Sequence, residues 1–378
     1  MIREIELRNF KCFEILRLPL SELTLLSGSN ASGKSSVFQA LVLLHQTIRE
    51  NEWGSRLILN GDILKLGKVQ DVVNKIHGRH GFELVITDDE SSYRWRFSGE
   101  RPEMSMDVHC LSGSGEGDSP ERMLNRLLPF EAGATPSICK TLEFLTYITA
   151  ERIGPRDYYP LEDRITTQAV GPKGEHAISR LYRLEDNPVH EAMVIGSVAP
   201  TLMRQVEAWM REFFPGCGIA VSPISRMNAV TLGIRTSDET DYHRPINVGF
   251  GLTQVLPIIV AVLSAAPDDL IIIENPEVHL HPAGQALMGR FLAIAASTGP
   301  QIVVETHSDH ILNGIRRAVR NKTLAPSQVC LHFFRAPKLG FDQVVSPQLE
   351  SSGNLDVWPE GFFDQFDKDM NHFAGWSE

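Results

Sequence analysis

Residues 23–36 read LTLLSGSNASGKSS, and the rest of the chain is best read outward from them. Residues 23–26 are an apolar strand. Gly28, Ser29, Asn30, Ala31, Ser32, Gly33, Lys34 and Ser35 then match the pattern G-x-x-x-x-G-K-[ST] without a mismatch, and Ser36 follows. Behind the loop, Val37, Leu41, Leu44 and Ile48 recur at the spacing of one helix face. Two glycines without a Cβ let the backbone curl and turn its N–H groups inward. Together with the helix N-terminus those groups make an anion site. In such a loop Lys34 reaches β- and γ-phosphates and the Ser35 hydroxyl sits on Mg²⁺. The motif implies a bound nucleoside triphosphate without saying which one or to what end.

The chain of 378 residues has room for two or three domains, and its composition is that of an ordinary globular protein. No apolar run approaches the roughly 18–20 residues that a membrane helix needs. The longest, residues 255–266, is interrupted by Pro257 and Ser264. The first residues alternate charge with apolar side chains and lack a signal-peptide core. The expectation is a soluble, cytoplasmic protein without a membrane partner. Five scattered cysteines with no C-x-x-C pair suggest neither a zinc ribbon nor a disulfide framework. A net charge of −11 argues against a surface coated for nucleic acid, although a local basic groove remains open. Arg316, Arg317, Arg320 and Lys322 are one such run, either a groove or a solvated helix face.

In chain order, residues 1–20 read as two short strands, and 82–87 with 93–97 as a strand pair bent at Asp88, Asp89 and Glu90. From about 99 to 120 the chain turns polar, with a flexible Gly/Ser loop at 112–118. This opens an α+β insert, 99–240. It has helical stretches at 121–128 and 202–214 and strands at 219–221 and 229–234. No heptad pattern persists, so no long coiled coil is expected. Residues 147–160, YITAERIGPRDYYP, either present Arg152 and Arg156 to phosphate or a partner, or form a surface loop tied down by tyrosines. After residue 247 the pattern alternates helix and strand: helices at 255–265, 282–296 and 311–320, strands at 270–273 and 301–304. The continuous run Ile271, Ile272, Ile273 has the character of a buried parallel strand.

Three further segments complete a nucleotide site. Residues 270–274 (LIIIE) are a buried strand ending in Glu274, the arrangement that holds Mg²⁺ beside a phosphate loop. Residues 306–310 (THSDH) follow the next strand, where His307 can reach a γ-phosphate. Residues 247–254 (NVGFGLTQ) are a glycine-containing turn opening an apolar helix, again a seat for phosphate.

In this order the segments resemble ABC-type ATPases, and most closely the RecF, SMC and OLD-like branch of AAA-annotated ATPases. Asn30, the opening RNFK at 8–11, ENPEVHLHP at 274–282 and ETHSD at 305–309 carry the resemblance. The tail VWPEGFFDQ at 357–365 resembles a C-terminal module of unknown function. The resemblance implies an α/β ATPase head with a mixed sheet. Its N-terminal part is 1–98 and its C-terminal part 241–335, with the tail module at 336–378. It also implies a homodimer sharing two ATP molecules. Gly249, Gly251 and Thr253 would act on the other copy's nucleotide, Ser35 and Glu274 would serve Mg²⁺, and His307 the γ-phosphate. Relatives of this kind act in DNA repair or in bacterial defence against phage, so a separate effector protein, possibly a nuclease, and DNA are candidate partners. With only 43 residues after Arg335, the expectation is that no added nuclease domain is part of this chain.

At one position the chain departs from the common ABC pattern. Asn275 stands where a second acid positions the attacking water, and an amide cannot accept that proton. Glu277 and Glu305 are candidate substitutes. The expectation is an ATP-driven switch that hydrolyses slowly, with a non-hydrolysing ATP-dependent scaffold as the alternative. The turn before Glu274, together with His307, argues against a phosphate-loop kinase or GTPase. His279 and His281 match the loop that crosses the dimer interface in this family better than they match a metal site. The aromatics Trp358, Phe362, Phe363 and Phe366 are either a docking patch or a lid on the body.

Overall fold

The computed structural model of this chain describes residues 1–50, 56–75, 78, 80–112, 127, 137–162, 170–336, 342–363 and 365–374. The chain starts with β1 (Ile2–Phe10), β2 (Phe13–Pro19) and β3 (Leu23–Gly28), then passes through the phosphate loop into α1 (Lys34–Glu50). Next come β4 (Arg56–Ile58), α2 (Val69–Val72), β5 (Gly81–Asp88), β6 (Ser92–Ser98) and β7 (Ser105–Ser112). A central stretch holds α3 (Ser137–Glu143), β8 (Thr146–Ile148), β9 (Tyr159–Pro160), α4 (Ala177–Arg183), α5 (Leu202–Phe213), β10 (Gly218–Pro223) and β11 (Ala229–Arg235). Helix and strand then alternate through α6 (Phe250–Leu263), β12 (Leu270–Glu274), α7 (Pro282–Ala296), β13 (Gln301–Glu305), α8 (Asp309–Arg320) and β14 (Val329–Phe334). The tail adds β15 (Val344–Val345) and α9 (Gln365–Phe373).

Two large sheets result. The first is antiparallel, in the order β2-β1-β5-β6-β7-β4. The second runs β15-β14-β3-β13-β12-β8, all parallel except β15. Its strands are mostly apolar in their middle because both faces are covered. Side chains alternate faces along a strand. Leu270 and Ile272 of β12 therefore join one core, with α1 and the antiparallel sheet. Ile271 and Ile273 join the other, with α6, α7 and α8. Each such fully buried side chain contributes about 1.5–3 kcal/mol. A small sheet, β10-β11-β9, closes the second core together with α4 and α5. This is an ABC-type α/β head with a mixed sheet. Among the described residues no helix exceeds the 17 residues of α1, so none forms a long coiled coil, and none is long and apolar enough to cross a membrane.

The expected insert does not stand apart from the head at its first residue. Residues 105–112, read as polar loop, are β7, which pairs with β6 and β4. Neighbouring strands on both sides supply its hydrogen bonds, so this stretch forms a strand despite its polar residues. β8, by contrast, is an edge strand of the parallel sheet, beside β12. Of the helix expected at 121–128 only Leu127 is described, with φ +57°, and the loop expected at 112–118 lies outside the described residues from 113 onward. The tail aromatics pack on the body. Phe362 is buried against Phe333, with ring centroids 5.2 Å apart, and against Trp358 at 5.3 Å. Trp358 in turn lies 5.5 Å from the Arg316 guanidinium, which also donates to Gly353 O at 2.6 Å. One arginine of the basic run is thus spent on holding the tail; the side chain of Phe366 is outside the described set.

Two buried histidines tie the layers together. His45 Nδ1 lies 2.6 Å from Leu142 O, and His332 lies 2.8 Å from Pro19 O and 2.7 Å from Ser346 Oγ. Burial pushes both down to about 4, against the opposing pull of those carbonyls. Folding therefore favours the neutral rings, and the unfolded chain binds more protons as the pH falls below about 6.5. Stability is full above that value and is lost towards pH 4, by at most about 3 kcal/mol per histidine. Denaturant melts of the nucleotide-free chain between pH 7 and 5 should fall steeply, and His332→Gln should roughly halve that slope.

Candidate functional site

The phosphate loop is shaped by its contact with β14. Gly28 has φ +136°, and a Cβ there would lie 2.0 Å from Phe334 O, so no other residue fits without moving the strand. Ser29 N donates to the same carbonyl at 3.2 Å. Ala31 takes φ +60°, and Ser32 Oγ donates to Ser29 O at 2.7 Å, so the loop is stiffened from within. Lys34 is buried and folds back over the loop, donating to Ser29 O at 2.7 Å and Gly28 O at 3.1 Å. Ser36 N closes the first helical turn onto Gly33 O at 3.0 Å. No acid occupies that turn, which leaves the positive end of the helix open to an anion.

Carboxylates end the neighbouring strands. Parallel pairing sets Glu274 beside Glu305, and Glu305 beside Leu26 of β3. Ser35 Oγ donates to Glu305 Oε2 at 2.8 Å, and Lys34 Nζ is 3.9 Å from Glu305 Oε1. Burial pushes Glu305 above the usual carboxylate range, while the Ser35 hydrogen bond and Lys34 pull the other way. Lys34 is pushed down by the same burial and partly restored by Glu305. Glu274 faces β8 instead, accepting from Tyr147 Oη at 2.7 Å and Ala150 N at 3.0 Å.

Arg152 is buried, so it presents nothing at the surface. It donates to Glu274 O at 2.9 Å, Asn275 O at 2.8 Å and Thr149 O at 3.1 Å. Burial brings it down to about 10, with Glu277 and Glu274 opposing. Its bonds hold Asn275 at φ +44°, an uncommon conformation for a residue with a side chain. Glu277 accepts from Thr306 Oγ1 at 2.7 Å, His307 N at 2.8 Å and Asn275 Nδ2 at 3.4 Å. It therefore joins the segment after β12 to the segment carrying His307. Partial burial, then the charge on Lys34, holds His307 below the ordinary histidine range, with Glu277 opposing.

The glycine turn caps α6 at the other end of this network. A Cβ on Gly251 would lie 2.8 Å from His279 O, and Phe250 packs edge-on against His279 at 5.0 Å. Gln254 Nε2 donates to Ile153 O at 3.2 Å and Arg152 O at 3.4 Å. Thr253 Oγ1 turns back to Phe250 O at 2.9 Å, and a Cβ on Gly249 would meet open space. Among the described residues no hydrogen bond joins 249–254 to 28–36. His281 caps α7 and His279 stacks on Phe250. Among the described residues no three His, Cys, Asp or Glu side chains form a metal cluster.

Sequence reasoning missed Tyr147 and the Ala150 amide as partners of Glu274. It also missed Gln343 of the tail, which donates to Ser32 O at 2.9 Å. Only spatial neighbours reveal these; a lone tyrosine or glutamine carries no motif.

In fold and in the families matched, the chain resembles ABC-type ATPase heads of the RecF, SMC and OLD-like branch, followed by a stretch that matches a module of unknown function. Residues 1–92 match the AAA ATPase domain, and residues 143–313 the family described as AAA domain, putative AbiEii toxin, Type IV TA system. Residues 324–372 match a protein of unknown function, DUF3696. The chain is 23% identical over 331 residues to an OLD nuclease of Thermus scotoductus; the match covers 82% of this chain and 59% of that relative. An SMC head bound to the C-winged helix domain of ScpA superposes at TM-score 0.52 and 15% identity, covering 93% of this chain and 98% of that one. A Pyrococcus furiosus SMC head with an extended coiled coil, bound to the C-terminal domain of ScpA, gives TM-score 0.53 and 14% identity over 99% and 98%.

Arg152→Ala leaves the carbonyls of Thr149, Glu274 and Asn275 without their charged donor and should cost about 2–4 kcal/mol in a denaturant melt. Arg152→Lys, with no planar fork to bridge them, should recover less than half of that.

Proposed function

We propose that the chain binds ATP with Mg²⁺, pairs with a second copy around two shared nucleotides, and hydrolyses them slowly as a switch for a partner effector. The observation that carries this reading is the division of the site. Lys34, Ser35 and Glu305 meet at the phosphate loop, with Glu277 holding the His307 segment beside them, while among the described residues Gly249, Gly251 and Thr253 belong to a helix start that makes no hydrogen bond to the loop. A second copy supplies the missing half.

The donors at the loop are hard oxygens, the Ser35 hydroxyl and carboxylates, which suits Mg²⁺. When bound, the ion neutralises charge on the β- and γ-phosphate oxygens. Lys34 releases its loop carbonyls to meet the phosphates, and the mostly neutral His307 donates to the γ-phosphate. Glu277 keeps His307 in place. Asn275 orients the attacking water but cannot take its proton. A missing general base costs about 10²–10⁴ in rate. From a typical turnover near 10 s⁻¹, that leaves about 10⁻³–10⁻¹ s⁻¹.

The matched OLD nuclease and the toxin family support a setting in phage defence or DNA maintenance, in the cytoplasm, with a nuclease or other effector as a separate subunit and DNA as a candidate ligand. Asn275 also favours a second reading, a scaffold that binds ATP without turnover. Light scattering with ATP and Mg²⁺ should show dimers that Lys34→Ala abolishes. Phosphate release should fall in the slow range above and rise at least about tenfold in Asn275→Glu. Dimers with no release, in the wild type and in Asn275→Glu, would favour the scaffold; a chain monomeric with ATP would remove both.

A further inference from the structure

Two acids compete for the role of metal carboxylate, and their hydrogen bonds separate them. Glu274 ends β12, which lies two strands from β3, and both of its oxygens accept from the β8 side, Tyr147 Oη at 2.7 Å and Ala150 N at 3.0 Å. Glu305 ends β13, directly hydrogen-bonded to β3, and both of its oxygens face the start of α1. Adjacent strands lie about 4.8 Å apart, so Glu305 starts one full strand nearer to the phosphate loop.

We infer that Glu305 joins Ser35 in holding Mg²⁺ at the nucleotide, with Glu274 acting from behind it as a positioning acid. The inference rests on the proposal that this loop binds Mg²⁺ and ATP. Mg²⁺ takes oxygens at about 2.1 Å in octahedral geometry, which puts adjacent ligands about 3 Å apart. Ser35 Oγ and Glu305 Oε2 are 2.8 Å apart. A bound Mg²⁺ would be held by Ser35 Oγ and Glu305 Oε2, whose present separation already fits two ligands of one ion. Lys34, 3.9 Å from the other oxygen, keeps the carboxylate turned to the loop. Mg²⁺ sites combine one or two carboxylates with phosphate oxygens and water, so a single forward acid suffices.

The test is binding of a fluorescent ATP analogue to the full chain, titrated with Mg²⁺ and repeated in EDTA, for the wild type, Glu305→Gln and Glu274→Gln. Manganese EPR with ADP present reads the ion itself. Glu305→Gln keeps an oxygen to accept from Ser35, so a purely structural role would survive it. The expected result is metal-free binding like the wild type, but Mg²⁺ half-saturation and Mn²⁺ affinity weakened by about 10- to 100-fold. Glu274→Gln should shift them by less than Glu305→Gln does. If Glu305→Gln does not fold, Glu305→Asp decides, with a weakening of about threefold or more expected. Unchanged metal dependence in the Glu305 variants, or the larger loss in Glu274→Gln, overturns the inference alone. A wild type that binds no nucleotide with or without Mg²⁺ overturns it together with the ATP reading.

Discussion

Strand β3 is hydrogen-bonded in parallel on both edges, to β13 and to β14, and the site depends on that pairing. Parallel register brings the C-terminal ends of several strands to one edge of the sheet, where open α/β folds place their ligands. Here it sets Phe334 O against Gly28 and Glu305 beside Leu26, and it lets Thr306 N donate to Leu26 O at 3.0 Å. A shift of one residue would turn Glu305 to the other face and leave Ser35 without its acceptor. The apolar alternation of β12 and β13 prevents such a shift, since it would move isoleucines and valines between two filled cores.

The electrostatics of the edge follow from crowding. Glu274, Glu277 and Glu305 lie close enough to influence one another, and Lys34 and Arg152 are the buried cations among them. Each carboxylate is given separate donors: Tyr147 and an amide for Glu274, Thr306 and an amide for Glu277, Ser35 for Glu305. Burial nonetheless pushes Glu305 up. A nearby divalent ion reverses such a shift, because its charge favours the ionised form.

A chain of short contacts connects the glycine turn to the same edge. Gln254 holds the carbonyls of 152 and 153, Arg152 holds those of 274 and 275, and Phe250 rests on His279. Contact of a second copy at the turn would thus press on the backbone that carries Glu274 and Asn275. The tail touches the loop from the opposite side through Gln343 and packs its aromatics on β14 and α8.

Local sequence was enough for the strand, glycine turn and helix around residues 23–50 and for the alternating elements after residue 247. Each is marked within a few positions: a glycine where a Cβ is excluded, an apolar period of 2 or 3.6, an acid closing an isoleucine run. Where the strands β7 and β8 belong could not be read, because a short strand is made by the neighbours that offer it hydrogen bonds. The role of Arg152 was equally hidden, since the same arginine is a surface loop residue or a buried clamp depending on what packs over it. Residue types and their order in the chain came from the sequence by itself. Which of three nearby carboxylates faces the loop was decided only by the tertiary structure, because strand order sets the distance of each from Ser35, and distance sets which oxygen a hydroxyl can reach.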